Sequence, residues 1–187
     1  MGDAPTFSAF DGHRRVAAGS IEAVASALAE HAGLSPLLIF DDATGRQIEL
    51  DLRHGATHAI AEYRTRSPAP AVLSPRQGRG RPKLGVVARE VTLLPHHWDW
   101  LATQPGGASA ALRRLVEDAR RAAEAPDRAR QAQEAAYRVM SALAGDLPGF
   151  EEASRALFAG DVGRLDALAG GWPADVRYMV IRLASPN

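Results

Sequence analysis

Hydrophobic and polar residues alternate in short runs near the N-terminus, a pattern typical of β-strands. The runs "TFSAF" and "RRVAA" predict two strands joined by a turn at Asp11-Gly12, and "LLIFDDATGRQIELDL" predicts a second hairpin that turns at 42–45. Between the hairpins, apolar residues recur at helical spacing after Ser20, which is one of the preferred N-cap residue types. We therefore expect residues 1–64 to form a small α+β domain.

The apolar residues take a helical period in the second half of the chain. Arg89–Leu94 is strand-like in composition, a short helix is predicted to begin with Pro95, and a second helix follows the glycines at 106–107. A third helix is predicted to open near Pro126, and three short helical patterns fill 148–184. This half of the chain is therefore expected to be mostly helical.

The segment between these two patterns is rich in Pro, Gly, Ser and Arg, a composition that favours an exposed linker. We expect residues 65–88 to be flexible and basic. The predicted fold class is α+β, with a small N-terminal α+β domain, this linker, and a mostly helical half at residues 89–187. That half opens with a strand-helix-helix resembling a ribbon-helix-helix motif.

The linker contains "GRGRPK", whose core at 79–82 resembles an AT-hook. The narrow minor groove of A·T-rich DNA carries an enhanced negative potential that attracts arginine side chains. Gly80 lets the backbone approach the groove floor, Pro82 keeps the segment extended, and Lys83 would contact a phosphate. The predicted contacts of this segment are Arg76, Arg79, Gly80, Arg81 and Lys83. A solvated linker explains the same composition.

The segment 89–119 resembles a ribbon-helix-helix motif, in which two chains pair their strands into an antiparallel ribbon that enters the major groove. The resemblance implies a homodimer, with strand residues near the bases and the first amides of the second helix near a phosphate. The predicted contacts are Arg89, Thr92, Ser109, Arg113 and Arg114. A strand of the N-terminal sheet followed by an ordinary helical hairpin fits the same pattern, so pairing in cis or in trans stays open.

Apolar spacing on these two helices predicts which side chains are buried. Trp98 and Leu101 lie three residues apart on the first helix, so we expect both in a core. The second helix has an i, i+3, i+4, i+7 face. Its members are Leu112, Leu115, Val116 and Ala119.

The composition narrows the possible functions only slightly. The chain has 22 basic and 22 acidic residues, so attraction to DNA must come from local charge. It has no cysteine, and His54 and His58 lack a third ligand nearby, so we expect neither a metal site nor a cofactor. No nucleotide-binding or hydrolase motif is present in the sequence, and no apolar run suggests a membrane span, so we predict no catalytic residues and a cytoplasmic location.

Three blocks of the chain resemble a bacterial family that is known only as a domain of unknown function, number 2239 in that series. The blocks are "LLIFDDATGRQIELDLR", "GRGRPKLGVVAREVTLLPHHWDWLATQPGGASAALRRLVEDAR" and "ARQAQEAAYRVMSALAGDLPGFEEASRALFAGD". The resemblance implies a bacterial, cytoplasmic protein and supplies no activity.

The main functional hypothesis is a dimeric DNA-binding regulator that prefers A·T-rich duplexes, with an N-terminal domain that senses a ligand or binds a partner. The alternative is a protein–protein interaction adaptor without DNA binding, which would use Trp100 and the short C-terminal helices as its contact surface. An enzyme ranks third, because no sequence feature supports catalysis.

Overall fold

A computed structural model of the chain shows the expected mixed class, a small antiparallel sheet with helices and a mostly helical C-terminal half. The residues it describes are 6–31, 37–67 and 89–185. By its contacts the chain divides into unit 1, with residues 1–68 and 125–187, and unit 2, with residues 69–124.

Unit 1 contains a four-stranded antiparallel sheet with the strand order β2-β1-β3-β4. The strands are β1 (Phe7–Asp11), β2 (Arg14–Gly19), β3 (Leu37–Asp41) and β4 (Gln47–Ile48). Both predicted hairpins are confirmed, although β4 is shorter than expected, because Leu52 lies in a 3-10 turn at Leu52–His54. The central strand β1 is buried on both faces, so each face of the sheet requires its own cover of helices.

Two helices cover the first face of the sheet, α1 (Ile21–Ala29) and α2 (Ala56–Arg66). The predicted cap of α1 is confirmed, since the Ser20 hydroxyl accepts a hydrogen bond from the Ala23 amide at 3.3 Å. The sequence pattern did not predict α2, because Ala59 is its only fully buried residue. The apolar cluster on this face has a buried centre formed by Phe7, Ala9, Ile21, Val24, Leu28 and Ile39.

The C-terminal helices cover the second face. They are the end of α4 (Gly107–Ala144), α5 (Phe150–Phe158), α6 (Val162–Leu168) and α7 (Ala174–Ala184). Phe10 and Phe40 from the sheet meet edge-to-face, with ring centroids 6.1 Å apart, inside the cluster that these helices form. Each buried phenylalanine contributes about 1.5–3 kcal/mol relative to an exposed one. The three short helices predicted after residue 148 are confirmed.

Unit 2 consists, in its described part, of α3 (Pro95–Ala102) and the first part of α4, which continues into unit 1. Pro95 occupies the first turn of α3 as predicted. Gly106 and Gly107, with φ of 82° and 74°, form the turn between the helices in a conformation that favours glycine.

The two helices predicted on either side of Pro126 are one helix, so the prediction of a helix start near Pro126 is wrong. Proline lacks the amide that would donate to the carbonyl of Ala122. Ala122 is exposed, so water can satisfy that carbonyl and the helix continues across the proline.

Arg89–Leu94 does not join the N-terminal sheet, so that alternative is wrong, and pairing of this segment in trans stays a prediction. The segment belongs to no sheet within 6–31, 37–67 and 89–185, and the side chains from Arg89 to Thr92 are all exposed. A strand needs a neighbour for its amides and carbonyls. In a ribbon-helix-helix protein that neighbour comes from a second chain.

Candidate nucleic-acid interface

All ten residues predicted to contact DNA fall within unit 2. The hook-like segment, with Arg76, Arg79, Gly80, Arg81 and Lys83, lies outside the described residues. Arg89 and Thr92 lie in the exposed segment before α3, and Ser109, Arg113 and Arg114 lie in the first two turns of α4.

Ser109 was expected close to the N-cap of the second helix, but α4 starts two residues before it. The helix begins at Gly107, whose amide donates to the Gln104 carbonyl at 3.0 Å, so Ser109 lies inside the first turn and does not cap it. Its hydroxyl accepts a hydrogen bond from the Arg113 guanidinium at 3.3 Å. In the first turn of a helix, backbone amides such as those of Ala108 and Ser109 have no carbonyl acceptor within the helix. They lie at the positive end of the helix dipole.

The charge of the chain is divided unequally between the two units. Unit 2 contains nine Arg and Lys against five Asp and Glu, a net charge of +4, and unit 1 therefore carries −4. The formal net charge of zero hides this asymmetry. A positively charged unit attracts polyanions locally even in a neutral chain.

Two of the arginines in unit 2 are already neutralised. Glu117 accepts hydrogen bonds from Arg120 at 2.8 Å and from Arg121 at 3.1 Å. The hydrogen bonds from Arg120 and then Arg121 lower the pKa of Glu117 to about 2. By contrast, no acidic side chain in the described part of unit 2 contacts Arg113 or Arg114, so these two remain available to an external anion.

Most of the apolar side chains in the described part of unit 2 are exposed. Leu101 and Ala111 are buried, but Trp98 is 41% exposed, Trp100 50% and Val116 65%, so the prediction of a core Trp98 is wrong for the single chain. Two helices in a hairpin bury only the line along which they touch. The association surface, as we name it, comprises Val91, Leu94, Trp98, Trp100, Leu115 and Val116. Large exposed apolar side chains that lie together are typical of an interaction site.

The described residues contain neither a cluster of metal ligands nor a helix suited to span a membrane. His54 and His58 have rings 5.4 Å apart, but no group of three or more possible ligands gathers within the described ranges. Among the described helices, none has both the length and the apolar composition that a bilayer crossing demands.

These features define a class of mixed α+β protein with a positively charged helical unit that exposes arginine and apolar side chains. The chain belongs to the family described as "Uncharacterized protein conserved in bacteria (DUF2239)", whose model matches residues 6–184. The family resemblance of the three sequence blocks is thereby confirmed. No curated protein and no solved structure matches the chain.

Proposed function

We propose that this protein is a dimeric, DNA-binding regulator of the bacterial cytoplasm, in which unit 2 supplies both the dimer contact and the DNA contact. The observation that carries the proposal is that α4 carries the unpaired Arg113 and Arg114 next to the exposed Leu115 and Val116, in a unit with a net charge of +4. The proposed role includes no catalytic step and no cofactor.

The dimer contact is supported by the association surface. Trp98, Leu115 and Val116 belong to the apolar faces predicted for the two helices, yet the single chain leaves all three exposed. A second copy would cover them and could also supply the strand partner that Arg89–Leu94 lacks. The proposed dimer therefore covers the exposed apolar side chains and also gives Arg89–Leu94 a strand partner.

The dimer is tested by sedimentation velocity over a range of protein concentrations. We expect the wild type to associate and the Leu115→Ser/Val116→Ser variant to remain monomeric, because serine removes the apolar area. Phe158→Ser is the matched control, since Phe158 is an exposed apolar residue of unit 1. A monomeric wild type at high concentration would refute the dimer.

The DNA contact is supported by Arg89, Arg113 and Arg114, by the first amides of α4, and by the basic hook-like segment that precedes them in the sequence. Phosphate contacts release counterions, so the logarithm of the binding constant falls with the logarithm of salt concentration by about 0.9 per contact. Arginines in an A·T-rich minor groove add a preference for those duplexes.

DNA binding is tested by fluorescence anisotropy with labelled A·T-rich and G·C-rich duplexes at low and near-physiological salt. We expect Arg113→Gln/Arg114→Gln to weaken binding and reduce its salt dependence, and Arg79→Ala/Arg81→Ala to remove the A·T preference. Arg120→Gln/Arg121→Gln is the matched control, because it removes the same charge from side chains already paired with Glu117. Absence of binding at low salt would refute the proposal, because electrostatic attraction is strongest there.

The second candidate is a protein–protein interaction adaptor, which the exposure of Trp98 and Trp100 favours. Tryptophan is enriched among the residues that dominate binding energy at protein interfaces. An adaptor and a DNA-binding dimer differ in the anisotropy experiment. Association through unit 2 without any duplex binding would support the adaptor.

A further inference from the structure

Unit 1 contains a cleft of about 520 Å³ between the turn that joins β3 to β4 and the C-terminal part of α4. The polar and aromatic side chains that line it are Arg46, Gln47, Tyr137, Arg138 and Ser141. The volume lies within the range of about 300–1,000 Å³ that is usual for small-molecule sites.

The turn is held firmly against the helix. Gly45 has a φ of 64°, and a Cβ built on it would lie 2.7 Å from the carbonyl carbon of Ala135, so the turn backbone rests directly on the helix backbone. The Arg138 guanidinium donates to the Thr44 carbonyl at 2.7 Å, and an Asp41 oxygen accepts the amides of Ala43 and Thr44 at 2.8 Å and 3.0 Å. One wall of the cleft is therefore pre-formed.

The cleft has an excess of positive charge. Arg138 is paired with Glu134 at 3.0 Å, whereas Arg46 makes no ion pair within the described residues. The acidic residues of the turn are engaged elsewhere, since Asp41 accepts turn amides and Asp42 pairs with Arg182 at 3.0 Å. The unpaired guanidinium of Arg46 suits an oxyanion, and Gln47 and Ser141 add neutral donors.

An aromatic wall completes the cleft. The ring of Tyr137 is 37% exposed and packs against Phe158, with centroids 5.2 Å apart, and against Phe150 at 6.4 Å. These contacts fix the orientation of the ring. A flat apolar group can stack on its remaining face.

We propose that this cleft binds a small organic oxyanion, a phosphate or a carboxylate, that is attached to an aromatic ring. Arg46 binds the oxyanion, Arg138 holds the turn that carries Arg46, and Tyr137 contacts the ring. The proposal is independent of DNA binding by unit 2, and it gives unit 1 the ability to respond to a metabolite of this chemical class.

The test is isothermal titration calorimetry of the full chain with phenyl phosphate and benzoate as probes, beside inorganic phosphate and the neutral benzyl alcohol. We expect at least one aromatic anion to bind more tightly than inorganic phosphate and benzyl alcohol. Binding of phenyl phosphate alone assigns the site to phosphates, and binding of benzoate alone assigns it to carboxylates.

Variants locate the binding in the cleft. Arg46→Gln should weaken binding by about tenfold, the usual effect of losing one charge-assisted contact. Arg14→Gln is the matched control, because Arg14 is an exposed arginine on β2, at the opposite edge of the sheet from β4. Equal binding by Arg46→Gln and wild type, equal affinity for benzyl alcohol, or no binding of either anion at about 10 mM would overturn the proposal.

Discussion

Substitution of Gly45 by alanine tests whether the turn between β3 and β4 is seated on α4 as described. Gly45 and Gly12 both lie in hairpin turns of unit 1 and have positive φ, 64° and 57°. They differ in their surroundings. A Cβ at Gly12 meets nothing within 4 Å, whereas one at Gly45 lies 2.7 Å and 2.8 Å from backbone carbons of Ala135 and closer still to its carbonyl oxygen.

The two substitutions therefore share one cost and differ in another. A left-handed backbone at a residue with a Cβ costs about 1–2 kcal/mol, and this cost applies to both positions. Forcing a methyl group into a packed contact adds about 1–3 kcal/mol, and this applies only to Gly45, where the neighbour is a helix backbone that cannot rotate away. We expect Gly45→Ala to lower the free energy of unfolding by about 2–5 kcal/mol and Gly12→Ala by about 1–2 kcal/mol.

Urea unfolding followed by tryptophan fluorescence measures the difference. Trp172 is a reporter for unit 1, because it is 6% exposed and its indole N–H donates to the Pro148 carbonyl at 2.9 Å. Trp98→Phe and Trp100→Phe in every variant remove the signal of unit 2. If Gly45→Ala is no more destabilising than Gly12→Ala, the close seating of the turn on α4 is refuted, together with the pre-formed wall of the anion cleft.

Three further substitutions test other contacts. Arg182→Met should lower the free energy of unfolding by about 2 kcal/mol in urea titrations, because it leaves Asp42, whose side chain is 8% exposed, without its cation; equal stability of this variant and wild type would contradict the pairing. Ser20→Ala should cost about 1 kcal/mol by the same measurement, through loss of the α1 cap, and an unchanged midpoint would exclude the cap. Glu117 has a folded-state pKa of about 2, below its ordinary 4.5, so its pairing stabilises the fold above pH 4.5, and this stabilisation is lost as the pH falls towards 2. Glu117→Gln should therefore make the thermal midpoint depend less on pH between 4.5 and 2. The same pH dependence in this variant and in wild type would contradict this assignment.

Signals that act within a few residues allowed the sequence to predict much of the fold. Ser20 as a cap, Pro95 in a first turn, and glycine at 12 and 45 in hairpin turns depend on local backbone chemistry, and the structure contains all four. The helix α2 was not predicted because it contributes little apolar area. A helix start was wrongly predicted near Pro126, because the Ala122 carbonyl that the proline cannot bond is exposed to water and the helix continues.

The candidate anion cleft could not have been predicted from the sequence. Arg46 and Arg138 belong to a hairpin turn and to a distant helix, and each is unremarkable in its own segment. Only the seating of the turn on α4 places both residues in the lining of one cleft. Long-range contacts of this kind leave no local pattern, in contrast to the hook-like segment, whose chemistry can be read in consecutive residues.

The wrong prediction for Trp98 supports the dimer more strongly than a correct one would have done. Helical spacing identified Trp98 and the Leu115-Val116 face as positions suited to burial, and the single chain exposes all three. Exposed tryptophan and valine promote nonspecific association. A partner that covers this periodic apolar face therefore explains it better than chance does. The same reasoning applies to Arg89–Leu94, whose strand-like composition has no strand beside it. Both mismatches lie in unit 2, next to the unpaired arginines, and a second copy of this unit would resolve both.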